Sequence, residues 1–260
     1  MMASTVPLSR HSRKGGNPTP EARHPALDSR LRGNDEGGSY ARSKVQLETY
    51  FDRTARDAWE RLTSDAPVSG IRATVRAGRD RMRNTILDLL PADMTGLRLL
   101  DAGCGTGSLA VEAAMRGAEV VAIDVAAGLV DIARKRAPVG LKIDWRSGDM
   151  LSADLGTFDH VVAMDSLIHY RDTDIANVVT QWAGRTRGSV LFTFAPKTPL
   201  LTVMHNVGLL FPRSDRAPAI IPITAKRLTA LLAESVPDKH VRGTTRISGG
   251  FYKSEVMVLA

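Results

Sequence analysis

Apolar residues first recur at helical spacing in the stretch after residue 44. Leu47, Tyr50, Phe51, Ala55, Ala58 and Leu62 share one side of a helix over 45–66, and Pro67 ends it. A second helix is predicted over 68–90, closed by Pro91. From residue 98 the pattern changes. Short runs of Val, Ile and Leu alternate with helical periodicity, which predicts parallel strands covered by helices on both faces. The strands are expected at 98–101, 119–123, 141–146, 158–164 and 189–195, with helices at 106–116, 126–136 and 174–183 between them. Residues 197–223 read as a Pro-rich insertion holding an apolar helix over 200–211. A helix over 224–233 and two strands over 240–246 and 250–259, turning at Ser248 and Gly249, complete the pattern. The expected fold is α/β: a doubly wound, mainly parallel seven-stranded sheet with its last strand antiparallel. A helical arm (45–90) precedes the main domain (91–260), and the insertion after the fifth strand forms a lid.

Composition adds a boundary and several exclusions. At 260 residues and 43% hydrophobic content, one domain with additions is the natural size. Residues 1–44 are rich in Gly, Pro, Arg and Asn and cannot bury enough apolar surface to offset the entropy of ordering. Their stretch from His11 to Glu36 resembles the translation of a dispersed bacterial repeat element, so it reads as an insertion or a misplaced start. These 44 residues carry eight Lys/Arg against four Asp/Glu, so more than half of the net charge of +7 lies outside the expected fold. Zinc-finger spacing and a stacking-aromatic pattern are both missing, so no nucleic-acid partner is expected. The chain has no run of eighteen apolar residues and no apolar segment after its N-terminal basic residues, so neither a membrane span nor a secretory signal is expected. The single cysteine, Cys104, excludes a disulfide framework and suits a reducing, cytoplasmic compartment.

The candidate chemistry centres on Leu99, Leu100, Asp101, Ala102, Gly103, Cys104, Gly105, Thr106 and Gly107. An apolar run ends on an acid, and glycines follow at alternate positions. A strand, a tight turn and a helix in that order make a cradle for a nucleotide cofactor. The dinucleotide fingerprint has a longer gap to its last glycine, and no lysine follows to hold phosphates. The stretch resembles the first motif of the S-adenosylmethionine (SAM) dependent methyltransferases of class I fold. That resemblance assigns Gly103, Cys104, Gly105 and Gly107 to cofactor binding, with Cys104 as a packing residue rather than a nucleophile. Asp124, ending the second strand, is placed to accept both ribose hydroxyls, although it also suits a helix N-cap. Asp149, after the third strand, is placed to accept from the adenine amino group with Met150 against the ring, or to serve as a turn residue. Asp101 can meet the methionine ammonium. Asp165 follows the fourth strand at the same edge and joins this set. Arg72, Arg76, Arg79 and Arg83 share one helix face, which is either solvated or holds carboxylates.

Longer segments narrow the resemblance. They are Tyr50 to Ala55, Ala77-Gly78-Arg79, Asp101 to Gly107, Leu167-Ile168-His169-Tyr170, Phe194 to Thr198, and Phe251-Tyr252. Together they resemble the magnesium protoporphyrin IX O-methyltransferases of bacteriochlorophyll synthesis, from about residue 45 to the end. The resemblance implies methyl transfer from SAM to a propionate of Mg-protoporphyrin IX, with no bound metal. It implies Tyr50 and His169 as the catalytic pair, and both are expected to orient an already ionised carboxylate. His169 can also be a structural histidine, and His205 reads as lid packing. Implied partners are the large porphyrin-binding subunit of Mg chelatase and, through the apolar insertion helix, a peripheral contact with the photosynthetic membrane. Two other readings stay open. One is an O-methyltransferase acting on a quinone-type phenol, and the other is a non-catalytic SAM-binding partner of Mg chelatase.

Overall fold

The computed structural model describes residues 36–51, 63, 70–197 and 218–260. Helix α1 (Glu36–Thr49) and helix α2 (Gly70–Asp88) precede strand β1 (Arg98–Ala102). Then follow α3 (Ser108–Met115), β2 (Glu119–Asp124), α4 (Ala127–Arg136), β3 (Ile143–Ser147), β4 (His160–Ala163), α5 (Asp172–Ala183) and β5 (Val190–Phe194). The chain ends with α6 (Ala225–Ser235), β6 (Val241–Gly249) and β7 (Tyr252–Leu259). All seven strands form one sheet in the order β3-β2-β1-β4-β5-β7-β6. Every pairing from β3 to β5 is parallel, and β7 runs antiparallel to both β5 and β6. This is the doubly wound sheet that the sequence pattern predicts.

The strand period of two divides the core between the two faces of the sheet. Leu99, Val120, Val162 and Leu191 pack with Met82 and Ile86 of α2 and with Leu109 and Ala113 of α3. Leu100, Val121, Val161 and Phe192 face the other way, onto Ile175, Val179 and Trp182 of α5 and Leu228 and Leu232 of α6. The central strands are buried on both faces, which explains why they read as continuous apolar runs. The chain winds outward from β1 to β3, then returns to start β4 on the other side of β1. The carboxyl ends of β1 and β4 therefore border the crevice where such folds bind ligands.

The N-terminal boundary differs from the sequence expectation. Helix α1 starts at Glu36, inside the stretch whose composition predicts no order. Tertiary partners hold it. The Tyr40 ring stacks on Tyr170 at 5.3 Å between centroids, Ser39 Oγ donates to Asp174 Oδ2 (2.8 Å), and Leu47 is buried. The remainder of the helix expected over 45–66 lies largely outside the described residues. So do the insertion helix over 200–211 and His205. Lys197 and residues 218–223 are described, and Ile223 forms a parallel bridge with Pro196.

Candidate active site

The turn after β1 is built to admit a ligand. Gly103 has φ +79°, and its N–H donates to the Ile123 carbonyl (2.8 Å). A Cβ there would lie 2.3 Å from Cβ of Ser166, so the β1 and β4 loops can touch only through glycine. Ser166 Oγ completes the seam by donating to the Ala102 carbonyl (2.9 Å). Gly105, at φ +54°, faces open space on its Cβ side, which leaves bare backbone lining the cleft. Gly107 instead rests against Trp145 and Ala133.

Carboxylates surround this turn. Asp101 is buried, and its Oδ2 has no hydrogen-bond partner among the described residues. Burial and then the neighbouring Asp124 charge raise its pKa to about 7, while the Ala110 N–H pulls the other way. A buried carboxylate oxygen without a donor, beside a glycine cradle, fits the ammonium of SAM. The Asp124 carboxylate is oriented by two backbone donors, Gly105 N–H to Oδ2 and Ala126 N–H to Oδ1, both 2.9 Å. It faces a cleft that is also lined by Val125, Leu129, Gly148 and Met150. The N-cap of α4 is Ala126, with no side-chain cap bond, so Asp124 holds the turn before the helix rather than capping it and stays a ligand candidate. Burial raises the Cys104 thiol well above its ordinary range, so the group stays neutral and packs.

Asp149 sits at the far end of this cleft, and α1 reaches it. Tyr40 Oη donates to Oδ1 and Lys44 Nζ to Oδ2, each at 2.8 Å, and the Leu151 N–H also donates to Oδ1 (2.9 Å). Burial opposes the charge, but Lys44, the Leu151 N–H and Tyr40 together hold its pKa below the usual carboxylate range. A carboxylate has about four acceptor positions, so an adenine amino group can still be received. The loop itself is pinned from behind. Trp182 Nε1 and Arg185 Nη2 donate to the Met150 carbonyl (3.2 and 3.1 Å), and Arg185 Nη1 donates to that of Ser152 (2.7 Å).

The β4 side carries the remaining candidates. His169 ends a short 3-10 turn, Leu167–His169, and its Nδ1 lies 3.2 Å from the Ala219 carbonyl. A carbonyl can only accept, so Nδ1 carries a proton, and in the neutral ring Nε2 then holds the lone pair. Burial lowers the His169 pKa against the opposing pull of the Ala219 carbonyl, the Asp165 charge and the Pro218 carbonyl. Phe51 lies 6.4 Å from the His169 ring, and Tyr50 meets Phe51 edge-on at 5.1 Å. Phe51 lines the cleft and stands next to both Tyr50 and His169. Asp165, expected among the cofactor ligands, lines the same cleft. Its carboxylate is held by Arg79 Nη1 (2.7 Å) and Tyr252 Oη (3.0 Å). Sequence reasoning passed over Tyr40, Lys44 and Arg185. Of these, only Tyr40 left a signal, its i, i+7 spacing to Leu47.

The open space beside Gly105 supports a sharp test. Gly105→Ala should fold, since an αL alanine costs only about 1–2 kcal/mol. Its methyl would occupy cofactor space, so the dissociation constant for S-adenosylhomocysteine should rise about tenfold or more by calorimetry. Unchanged affinity would remove Gly105 from the binding surface.

A sheet of this order, with a glycine cradle and oriented acids at its switch point, defines a class I SAM-dependent methyltransferase. Residues 99–187 match the family described as methyltransferase domain, and residues 163–260 match the magnesium-protoporphyrin IX methyltransferase C-terminus. The chain is 48% identical over 221 residues to the magnesium-protoporphyrin O-methyltransferase of Rhodobacter capsulatus, spanning 84% of this chain and 96% of the relative. It belongs to the magnesium-protoporphyrin O-methyltransferase family. The corresponding Synechocystis protein is 32% identical over 175 residues, covering 65% of this chain and 76% of the relative. The crystal structure of Synechocystis magnesium protoporphyrin IX methyltransferase (ChlM) with bound SAH superposes with a TM-score of 0.73. It is 27% identical and covers 83% of this chain and 98% of that one.

Proposed function

We propose that this enzyme transfers the methyl group of SAM to one propionate carboxylate of Mg-protoporphyrin IX, forming the monomethyl ester in (bacterio)chlorophyll synthesis. The observation that carries this reading is kinship along almost the whole Rhodobacter relative, with the SAM cradle intact. When bound, SAM supplies an electrophilic methyl on a sulfonium. Asp124 and Asp149 are assigned to the ribose and adenine ends, Asp101 to the ammonium, and Gly103, Gly105 and Gly107 to close backbone approach. Met150 packs against the base.

The hydrogen bond from Nδ1 to Ala219 supports a proton-accepting role for His169 beside the orienting one expected from the sequence. An imidazole with its proton on Nδ1 cannot donate from Nε2 to an ionised carboxylate. It can accept a proton instead. A propionate moved into a cleft lined by Phe51, Met164 and Tyr170 loses hydration, which favours its protonated form. We assign His169 Nε2 to removing that proton, which leaves the carboxylate as the nucleophile. Tyr50 then acts by positioning Phe51 beside His169. A carboxylate needs no Lewis acid to attack a sulfonium methyl, so the reading includes no bound metal.

In the same reading, the large porphyrin-binding subunit of Mg chelatase delivers the porphyrin. Contact with the photosynthetic membrane would be peripheral. Among the described residues, no helix is long and apolar enough to cross a membrane. Incubation with labelled SAM and Mg-protoporphyrin IX should give an alkali-labile methyl ester. An alkali-stable methyl ether formed only with a demethylated quinone would overturn the reading, and so would SAM binding without any transfer.

A further inference from the structure

Strand β7 brings its beginning, not its end, to the ligand-binding edge of the sheet. It runs antiparallel to β5, and Phe194, the last residue of β5, pairs with Glu255. Tyr252 and Ser254 therefore lie beyond that pairing, and the strand period of two puts both on one face. There they meet Asp165, which follows β4. Asp165 has φ +56°, the only non-glycine residue at positive φ among the described residues. Such backbone is sparsely populated for a residue with a Cβ and persists where its surroundings impose it.

Those surroundings come from three elements. Tyr252 Oη lies 3.0 Å from Asp165 Oδ1 and 3.2 Å from Oδ2, so one hydroxyl donates across both oxygens. Ser254 Oγ donates to Oδ1 (3.3 Å), and Arg79 Nη1 pairs with Oδ2 (2.7 Å). The Asp165 N–H donates to Thr193 Oγ1 (2.7 Å), which ties the backbone to β5 as well. The Tyr252 hydroxyl is itself fixed in place. A Cβ on Gly78 would lie 2.5 Å from the Tyr252 side chain, so the α2 backbone rests directly on that ring. Burial and then the Asp165 charge push the phenol far above its ordinary range, so it remains a donor at working pH.

The residues after Asp165 build the acceptor side of the crevice. Ser166 bonds the Ala102 carbonyl and abuts Gly103. Leu167 is buried and starts the turn that carries His169. The Ile168 carbonyl accepts from the Ile221 N–H (2.9 Å), two residues from the carbonyl that holds His169 Nδ1. A change of φ at Asp165 would move all of these against the glycine turn. We propose that Tyr252 is a positioning residue for methyl transfer. By holding Asp165 in its left-handed conformation, it seats Ser166 on the glycine turn and aims His169 at the acceptor. The acids assigned to SAM stand on or after β1, β2 and β3, so the effect should appear in turnover rather than cofactor affinity. The effect on turnover rests on the function proposed above, whereas the effect on His169 does not.

Tyr252→Phe removes the hydroxyl and keeps the ring on Gly78. It should lower kcat about tenfold and leave S-adenosylhomocysteine affinity, by calorimetry, within about threefold of the parent. In protein with isotopically labelled histidine, the His169 Nδ1–H resonance is assigned by its loss in His169→Ala. It should shift or broaden in Tyr252→Phe. A second pair separates backbone conformation from carboxylate chemistry. Asp165→Gly and Asp165→Ala both lose the carboxylate, but only glycine enters the left-handed region freely. Asp165→Gly should therefore keep about tenfold more turnover than Asp165→Ala. Equal kcat in this pair would overturn the proposal, because the carboxylate would then act directly. So would a Tyr252→Phe enzyme with the parent's kcat or the parent's His169 resonance, or one whose S-adenosylhomocysteine affinity falls as far as its kcat. If the parent does not esterify Mg-protoporphyrin IX, the functional reading fails, and the His169 resonance in Tyr252→Phe decides the positioning role by itself.

Discussion

His169→Ala should lower kcat by about 10²–10⁴-fold, the usual contribution of a positioned proton acceptor, and leave the SAM dissociation constant within about threefold. The split follows from the geometry. His169 follows β4 and lies beside Phe51, whereas Asp101 and Asp124 belong to β1 and β2 and Asp149 follows β3. The pH profile adds a sign. Burial lowers the His169 pKa below 6.5, so the neutral imidazole that can accept a proton persists to lower pH than a free histidine allows. The acid limb of kcat in the parent enzyme should therefore lie below pH 6.5 and disappear in His169→Ala. Were His169 an imidazolium that orients an ionised propionate, activity would fall as pH rises through the same region. Stability carries the same sign. The folded state takes up a proton at His169 less readily than the unfolded chain, so it loses stability as pH drops below 6.5. A profile that rises toward acid, or one that the substitution leaves unchanged, would remove His169 as the proton acceptor.

The sheet was legible because its signals are local. Each central strand is a short apolar run, and the acid and glycines after β1 are contiguous. The switch point follows from the alternation of strand and helix alone. The start of α1 was not legible. Glu36-Gly37-Gly38-Ser39-Tyr40 has weak helix propensity, and the partners that hold the segment are distant: Asp174 is 135 residues from Ser39, and Asp149 is 109 from Tyr40. Asp165 shows the same limit. Its place after β4 marks it as a site residue, but nothing local says that Arg79, 86 residues away, will claim its carboxylate. The arginine stripe on α2 was visible as a face and ambiguous as chemistry. The fold divides it. Arg79 goes to Asp165, Arg83 goes to Asp80 and Glu112, and Arg72 stays exposed. The proton on His169 Nδ1 depends on the Ala219 carbonyl, fifty residues on, which nothing local to His169 announces.

Affinity for SAM should weaken about tenfold per pH unit below about pH 7, because the Asp101 carboxyl must ionise to receive the ammonium. Burial is the first cause of its raised pKa, and the Asp124 charge is the second. The Ala110 N–H at the start of α3 opposes them, and the Cys104 thiol beside it stays neutral. Binding below that pH must release a proton, so the calorimetric enthalpy should vary with the ionisation enthalpy of the buffer. The apo protein gives the matching stability curve. Below about pH 3.8 the group is protonated in both folded and unfolded chains and costs nothing. Between about pH 3.8 and about pH 7 only the folded state keeps the proton, so stability declines as pH rises. Above about pH 7 the buried charge imposes a constant penalty of about 4 kcal/mol in the absence of ligand. Asp101→Asn should therefore raise the apo Tm at pH 8, weaken SAM binding there by about 10–100-fold, and abolish the pH slope of binding. The opposite movement of stability and affinity distinguishes a ligand-seeking carboxylate from a structural one. A parent enzyme whose SAM affinity is flat from about pH 5.5 to about pH 8 would show that Asp101 does not meet the ammonium.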